Sequence, residues 1–226
     1  MMRRILRFDS IDSTQRAAAG EPLGTVVVAG HQTAGQGRHG HSWHSEAGTG
    51  LYCSIVLEPM PLLTLAIGLA AVDAIARVTG QVCDLRWPND LMLGGKKTGG
   101  ILAQMVDSAA IAGIGINVNQ TSFPPHLVDE ATSLRLHTGQ EACATDILDA
   151  LIPAVEAMVK KDKDTILRLF THASSYAAGR RVIVDQPGGV IQGTTAGLDP
   201  DGFLIVRKDD GTDTLILAGG VRAAGS

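Results

Sequence analysis

The chain has 226 residues, 45% of them hydrophobic and 19% charged, with a formal net charge of −4. That length and apolar content suit one large domain, or a medium domain with a small appendage, around a proper core. The acidic balance argues against broad binding to nucleic acid or anionic membranes, and three cysteines without C-x-x-C spacing (Cys53, Cys83, Cys143) exclude a disulfide framework or a zinc knuckle.

Arg3, Arg4 and Arg7 form a small basic start with no signal-type apolar run behind it. The longest apolar stretch, Leu62 to Ala76, is interrupted by Thr64, Gly68 and Asp73, so no membrane span is expected and a cytoplasmic protein is read. Arg4 to Phe8 predicts a short strand, and Ser13 an N-cap for a helix through Ala19, stopped by Gly20. The β-branched run TVVVA (Thr25 to Ala29) predicts a buried strand. A polar, glycine-rich stretch from His31 to Gly50 reads as a long loop without internal structure. Leu51 to Leu57 then alternates as a strand should, with Leu51, Cys53, Ile55 and Leu57 on one face. A helix is expected from about Leu62 to Val78, closed by Gly80. A strand follows from Val82 to Trp87, then a hairpin of Leu91 to Leu93 and Ile101 to Val106 around Gly94-Gly95, and a strand from Ile111 to Val118. Thr145 to Val159 and Asp164 to Ala173 predict two helices, joined by the solvated run KKDKD. From Gly179 onward, short strands alternate with the turn signals QPGG, DPDG and DDG, which predicts a β-barrel or sandwich too small to stand without the larger unit.

The stretch GQGRHG, residues 35–40, fits G-x-G-x-x-G. A dinucleotide site needs those glycines to close a strand and open a helix whose N-terminus holds the pyrophosphate. TVVVA supplies the strand, but HSWHSEAGTG supplies no helix, so the dinucleotide reading fails. What remains is a mobile loop carrying Gln32, Gln36, Arg38, His39, His41, Trp43 and His44, a set suited to cover an anionic, aromatic ligand; an exposed loop anchored by Trp43 is the plainer alternative. His39, His41 and His44 raise a metal site, but no third Cys or acidic ligand stands at fitting spacing. The other dense stretch is RWPNDLMLGGKKTGG, residues 86–100. It is no P-loop, because G-x-x-x-x-G-K-[ST] fails at Asp90 and Lys97. Asn89 and Asp90 suit an Asx turn, and Asp90 is also a candidate for a magnesium–phosphate group.

S-T-Q at 13–15, H-Q-T-A-G-Q-G-R-H-G-H-S-W at 31–43, R-W-P-N-D-L at 86–91, K-K-T-G-G-I-L at 96–102 and G-I-G-I-N at 113–117 stand in the order seen in biotin protein ligases, which the chain resembles over nearly its whole length. The resemblance implies an α+β fold, a mixed β-sheet flanked by helices over residues 1–177, with a small SH3-like barrel over 178–226. It implies that biotin and Mg-ATP give biotinyl-5′-AMP, and that a lysine of a biotin carboxyl carrier protein then takes the biotin. By position, Ser13, Thr14, Gln15 and Gln32 would meet the biotin rings, with Gly100 beside them. Gly35, Gln36, Gly37 and Arg38 would form the loop that closes over biotin and the adenylate. Lys97 would sit between the biotin carboxylate and the α-phosphate, acting with Arg38 in catalysis. Trp43 would help form the adenine site, and Asn89, Asp90 and Asn117 would line the ATP and magnesium side. Two cations are what the first step needs, since it brings a carboxylate against a phosphate.

The chain departs from the family's pattern where two loop arginines are Gln36 and His41, which weakens the positive field over the adenylate. It departs again where a glutamate before Val221 is Gly220. Only 12 residues precede Ser13, too few for the DNA-binding domain that some relatives carry, so a monofunctional form is expected. Alternatives are a lipoate–protein ligase, sharing the adenylate chemistry, and a non-enzymatic biotin-sensing or DNA-binding protein. Homodimers occur among relatives, and no feature here selects one.

Overall fold

The computed structural model describes residues 4–186 and 188–224; Arg3 and the Pro187 of the QPGG turn lie outside the described residues. The first part alternates strands and helices: β1 Ile5–Phe8, α1 Thr14–Ala17, β2 Val26–Ala29, β3 Gly50–Leu57, α2 Leu63–Thr79, β4 Asp84–Arg86, β5 Asp90–Leu93, β6 Lys96–Val106 and β7 Ala109–Asn117. The strands form one seven-stranded sheet in the order β1-β2-β3-β7-β6-β5-β4. Only β1 and β2 run parallel; every other pairing is antiparallel, so the sheet is mixed.

After β7 come α3 Leu134–Thr138, α4 Ala144–Met158 and α5 Lys163–Ala173. Helix α2 covers one face of the sheet closely because its inner positions are small: Ala66, Ala70, Ala71 and Ala74 are fully buried. Leu51, Cys53 and Ile55 of β3 meet it in a core that also takes Ile147, Leu151 and Val155 of α4. Each large apolar side chain removed from water there contributes roughly 1.5–3 kcal/mol. Gly80 ends α2 at φ +70, the left-handed C-terminal stop its position predicted. No described helix is long and apolar enough to cross a membrane. The three cysteines are free, and burial pushes the Cys53 and Cys83 thiols up to about 12, which leaves them inert.

Several expectations shift in detail. Helix α1 stops at Ala17, and Ser13 stands at its N-cap position without a side-chain capping bond. Strand β4 is confined to Asp84–Arg86. Helix α5 begins inside the charged run, because the Asp162 side chain accepts from Thr165 N. The short α3, capped by Ser133, was not signalled by any apolar period.

The C-terminal segment folds as β8 Ala178–Gln186, β9 Gly189–Leu198, β10 Leu204–Arg207, β11 Asp213–Ile216 and β12 Gly220–Ala223. These form an antiparallel sheet in the order β11-β10-β9-β8-β12. The barrel expected from the sequence is not closed. Its two end strands, β11 and β12, do not pair, and Gly219, Gly220 and Val221 border a cavity of the larger sheet. As anticipated for so small a unit, it leans on the rest: Val182, Val184, Leu204 and Val206 belong to the same core as α2. Trp87 Nε1 donates to Gly202 O at 2.9 Å, and Ser174 Oγ to Leu85 O at 2.5 Å.

Gly202 has φ +82, and any Cβ there would press on Leu62 and Leu65. Gly202→Ala should therefore destabilise the protein by about 1–3 kcal/mol, through left-handed strain and overpacking together. Chemical denaturation monitored by tryptophan fluorescence checks this; a midpoint equal to the unaltered protein's would refute the junction described.

Candidate active site

The sheet opens into a cavity of about 290 Å³ over β3, β7 and β6, with β7 between the other two. Its floor is made of glycine. A Cβ on Gly115 would lie 2.5 Å from the Trp43 ring, one on Gly113 2.6 Å from Gln15 Oε1, and one on Gly100 3.2 Å from Trp43. The backbone there lets flat or polar groups approach where any other residue would exclude them.

The 31–50 segment covers the cavity and has more internal structure than its composition suggested. Gln36 and Ser42 form an isolated bridge, Arg38–Gly40 makes a 3-10 turn, and Trp43 N donates to Gly35 O at 2.9 Å. At the base, Tyr52 OH donates to Glu46 O. This folds Arg38 inward, where Nη1 donates to Asn89 Oδ1 at 3.0 Å.

Lys97 arrives from β6. The β5/β6 pairing carries a bulge, Leu91 facing Gly99 while Met92 faces Lys97, so that Thr98 is an extra, buried residue. Lys97 Nζ lies 2.6 Å from Asp90 Oδ1 and 5.5 Å from the centre of the Trp43 ring. Arg86 Nη2 lies 2.7 Å from Asp90 Oδ2. Burial alone would raise the Asp90 carboxyl, but Lys97 and Arg86 outweigh it and hold the group below its ordinary value of 3.8. Burial pulls the Arg38 guanidinium below its usual value, an effect that Asp90 partly offsets; it stays cationic throughout the working range. Two cations from distant parts of the chain thus border one cavity.

The opposite end is neutral and rich in hydrogen bonds. Thr14 N donates to Gln32 Oε1 at 2.8 Å, Gln32 Nε2 to Ser45 Oγ at 2.9 Å, and Gln15 Nε2 to Ile111 O at 3.0 Å. Ser13 Oγ and Trp43 Nε1 are buried without a partner, and both residues border the cavity.

Of the residues singled out in the sequence, Ser13, Thr14, Gln15, Gln32, Gln36 and Gly37 line this cavity. So do Arg38, Trp43, Asn89, Asp90, Lys97 and Gly100. Gly35 does not; it lies behind Trp43, where the two arms of the loop touch. Nor does Asn117, whose buried side chain donates to Thr132 O at 3.0 Å and ties the end of β7 to the following segment. A second cavity of about 760 Å³ shares His41, Ser42 and Trp43 with the first and is bounded beyond them by His31, His44 and His126. Among the described residues no group of three or more His, Cys, Asp or Glu side chains is placed to hold a metal ion. Asp90 does not fit a divalent cation either, since each of its carboxylate oxygens already faces a cationic side chain. Sequence reasoning missed Ser54, the glycines Gly113 and Gly115, and the C-terminal Gly219, Gly220 and Val221. The alternation of glycine and isoleucine in G-I-G-I-N was a signal for the floor, and Gly220 before Val221 stood out as a departure from the family's pattern without being read as part of the site; Ser54 and Gly219 had no signal.

A family model described as the biotin/lipoate A/B protein ligase family matches residues 8–120, and one described as the biotin protein ligase C terminal domain matches residues 178–221. The chain is 34% identical to the biotin–[acetyl-CoA-carboxylase] ligase of Mycobacterium tuberculosis, over 92% of this chain and 82% of that protein. It is 34% identical to the bifunctional ligase/repressor BirA of Bacillus spizizenii, over 93% of this chain and 71% of that protein. Its fold is similar to that of the biotin protein ligase from Aquifex aeolicus in complex with biotin and ATP, with a TM-score of 0.88, 30% identity, and coverage of 98% and 99% of the two chains.

Asp90→Asn leaves Arg86 and Lys97 facing each other with no carboxylate between them. At neutral pH this should cost about 1.5–3 kcal/mol, the range for hydrogen bonds to charged groups. Because folding lowers the Asp90 value, its contribution is present above the ordinary 3.8 and fades as pH falls through the folded value. The gap in thermal stability between the variant and the unaltered protein should therefore narrow in strong acid. A gap that is constant with pH would refute the assignment.

Proposed function

The chain belongs to the biotin/lipoate A/B protein ligase family, and we infer that it activates biotin with ATP as biotinyl-5′-AMP and transfers it to a lysine of a carrier protein. The observation that carries this is one cavity with a neutral hydrogen-bonding end at Ser13, Thr14 and Gln15 and a cationic end at Arg38 and Lys97. A neutral bicyclic head and a carboxylate tail match that order.

In the first step an oxygen of the biotin carboxylate attacks the α-phosphorus of ATP. A new P–O bond forms, the bond to the β-phosphate oxygen breaks, and pyrophosphate leaves with its electron pair. Two anions must meet for this, and Lys97 and Arg38 are assigned to lower that barrier by charge already in place. Asn89 orients Arg38 through its carbonyl, and Asp90 orients Lys97. Trp43 is assigned a face of the adenine, and the second cavity on its other side gives room for the rest of the nucleoside. Magnesium belongs in this reading with the nucleotide, held by its own phosphate oxygens and water and not by Asp90.

In the second step the acceptor lysine's neutral amine attacks the acyl carbonyl, an amide forms, AMP leaves, and the ammonium proton is lost to solvent. The mixed anhydride must meanwhile be shielded from water, a task assigned to Gly35, Gln36, Gly37 and Arg38 of the covering loop. Residues 1–177 carry the chemistry in this reading, and residues 178–226 close the cavity from the side. The acceptor is a biotin carboxyl carrier protein or domain, in the cytoplasm.

Lys97→Ala should keep its fold and lose at least about a hundredfold in biotin-dependent ATP–pyrophosphate exchange, the scale of removing one preorganised charge from a transition state. Exchange at the unaltered rate would overturn the role given to Lys97. Exchange supported by lipoate in preference to biotin would overturn the substrate.

A further inference from the structure

Arg86 stands behind the cavity. Arg38, Asp90 and Lys97 line it and Arg86 does not, so Arg86 can influence a ligand there only through its neighbours. In the β4/β5 hairpin it faces Asp90 directly, across the turn Trp87-Pro88-Asn89. That turn is locked to β6, since Ile101 N donates to Asn89 O at 2.9 Å and Asn89 Nδ2 to Ile101 O at 3.1 Å. Arg86 Nε and Nη2 both donate to Asp90 Oδ2, at 3.1 and 2.7 Å, and Oδ1 is left to Lys97 Nζ at 2.6 Å. The guanidinium thereby fixes which oxygen turns to the lysine.

Charge makes the same residue necessary in a second way. A step that drives a carboxylate against a phosphate needs a positive field, yet the wall presents a carboxylate beside its own lysine. Taken alone, Asp90 and Lys97 are a neutral pair, and Asp90 repels both reacting anions. The positive field of the wall would then fall to Arg38. With Arg86 the cluster has two cations for one carboxylate, and its net positive charge is presented by Lys97 on the cavity side. The Arg86 side chain is only 22% exposed, so solvent screens that charge incompletely.

We propose that Arg86 is a positioning residue for the first step: acting through Asp90, it sets the carboxylate's orientation and cancels its charge, so that Lys97 meets the reacting anions as a full cation. This rests on the ligase reading above and adds to it a residue that touches neither substrate. Because Arg86 works by cancelling Asp90, the damage of losing it depends on Asp90 being charged. Neutralising Arg86 alone leaves the carboxylate unopposed, and neutralising Asp90 alone leaves two cations facing each other. Neutralising both leaves Lys97 a cation that can still donate to an amide oxygen at position 90. The two substitutions should therefore compensate each other, where plain structural support from Arg86 would make their losses multiply.

The test measures biotin-dependent ATP–pyrophosphate exchange for the unaltered protein, Arg86→Lys, Arg86→Gln, Asp90→Asn and the double variant Arg86→Gln with Asp90→Asn. Arg86→Gln should lower kcat about tenfold, less than loss of Lys97 because its charge acts at one remove. The KM for biotin should change by less than about threefold, since the anions crowd most in the transition state. Arg86→Lys keeps the charge but not the paired donors, and should stay within about threefold of the unaltered rate. The double variant should be about threefold faster than either single variant. With both partners of the ion pair gone it leaves no buried charge unpaired, so its rate against Asp90→Asn decides the matter if Arg86→Gln folds poorly. A double variant no faster than Asp90→Asn overturns the proposal, as does an unchanged kcat in Arg86→Gln or a full tenfold loss in Arg86→Lys. Absence of biotin-dependent exchange in the unaltered protein overturns the ligase reading and the role of Arg86 with it.

Discussion

A carboxylate held between two cations governs this molecule. Asp90 is buried to 14% side-chain exposure, a position a lone carboxylate would leave by taking up a proton. Arg86 and Lys97 keep it ionised, and in return it holds the Lys97 ammonium inside a cavity that also contains the Arg38 guanidinium. Without Asp90 and the Asn89 carbonyl, two positive groups would border an empty space and repel each other. With them, the cations stay in place before any phosphate arrives, so no reorganisation is left to do when charge develops. The bulge at Thr98, the turn at Arg38 and the fixed position of residues 86–90 all serve that one arrangement.

Much of the framework was legible because it rests on local rules. Val26 to Ala29 had no choice but to be a buried strand, and Gly80 had to end its helix. The site was legible in a different way. GQGRHG looked like a pyrophosphate cradle, yet the missing helix ruled that out, and the glycines that matter to the cavity are Gly100, Gly113 and Gly115 on paired strands, which let Trp43, Lys97 and Gln15 lie close against the sheet. Sequence spacing cannot show that two strands put their glycines side by side under Trp43; that follows from the β6/β7 register, Gly100 facing Gly115. Ser13 is the sharper case. Its place before α1 predicted a capping hydroxyl, and it occupies the cap position while its hydroxyl is withheld from the helix. A strong local preference left unused inside a cavity is itself a pointer to a ligand.

The C-terminal sheet was legible as strands and turns but not in its closure. A barrel needs its end strands to meet, and β12 is instead spent on β8 and on the rim of the cavity. Gly220 stands at that rim, where a side chain would meet nothing within 4 Å. The module stays on the larger sheet through Trp87, whose indole reaches Gly202 from the same turn that precedes Asn89 and Asp90. The cation cage and the small sheet therefore share one anchor.

Charge is sorted along the cavity: cations stand at one end and neutral hydrogen-bonding groups at the other. The covering loop brings Arg38 to it beside the neutral Gln36, and Lys97 reaches it from β6, with Arg86 on the other carboxylate oxygen of Asp90. In the proposed reading, retention of the adenylate depends on the cations from β6 and the loop, and recognition of the ring on the neutral groups at Ser13, Thr14 and Gln15. That neutral end is fixed by the sheet itself, since Gln15 Nε2 donates to the backbone carbonyls of Leu102 in β6 and Ile111 in β7.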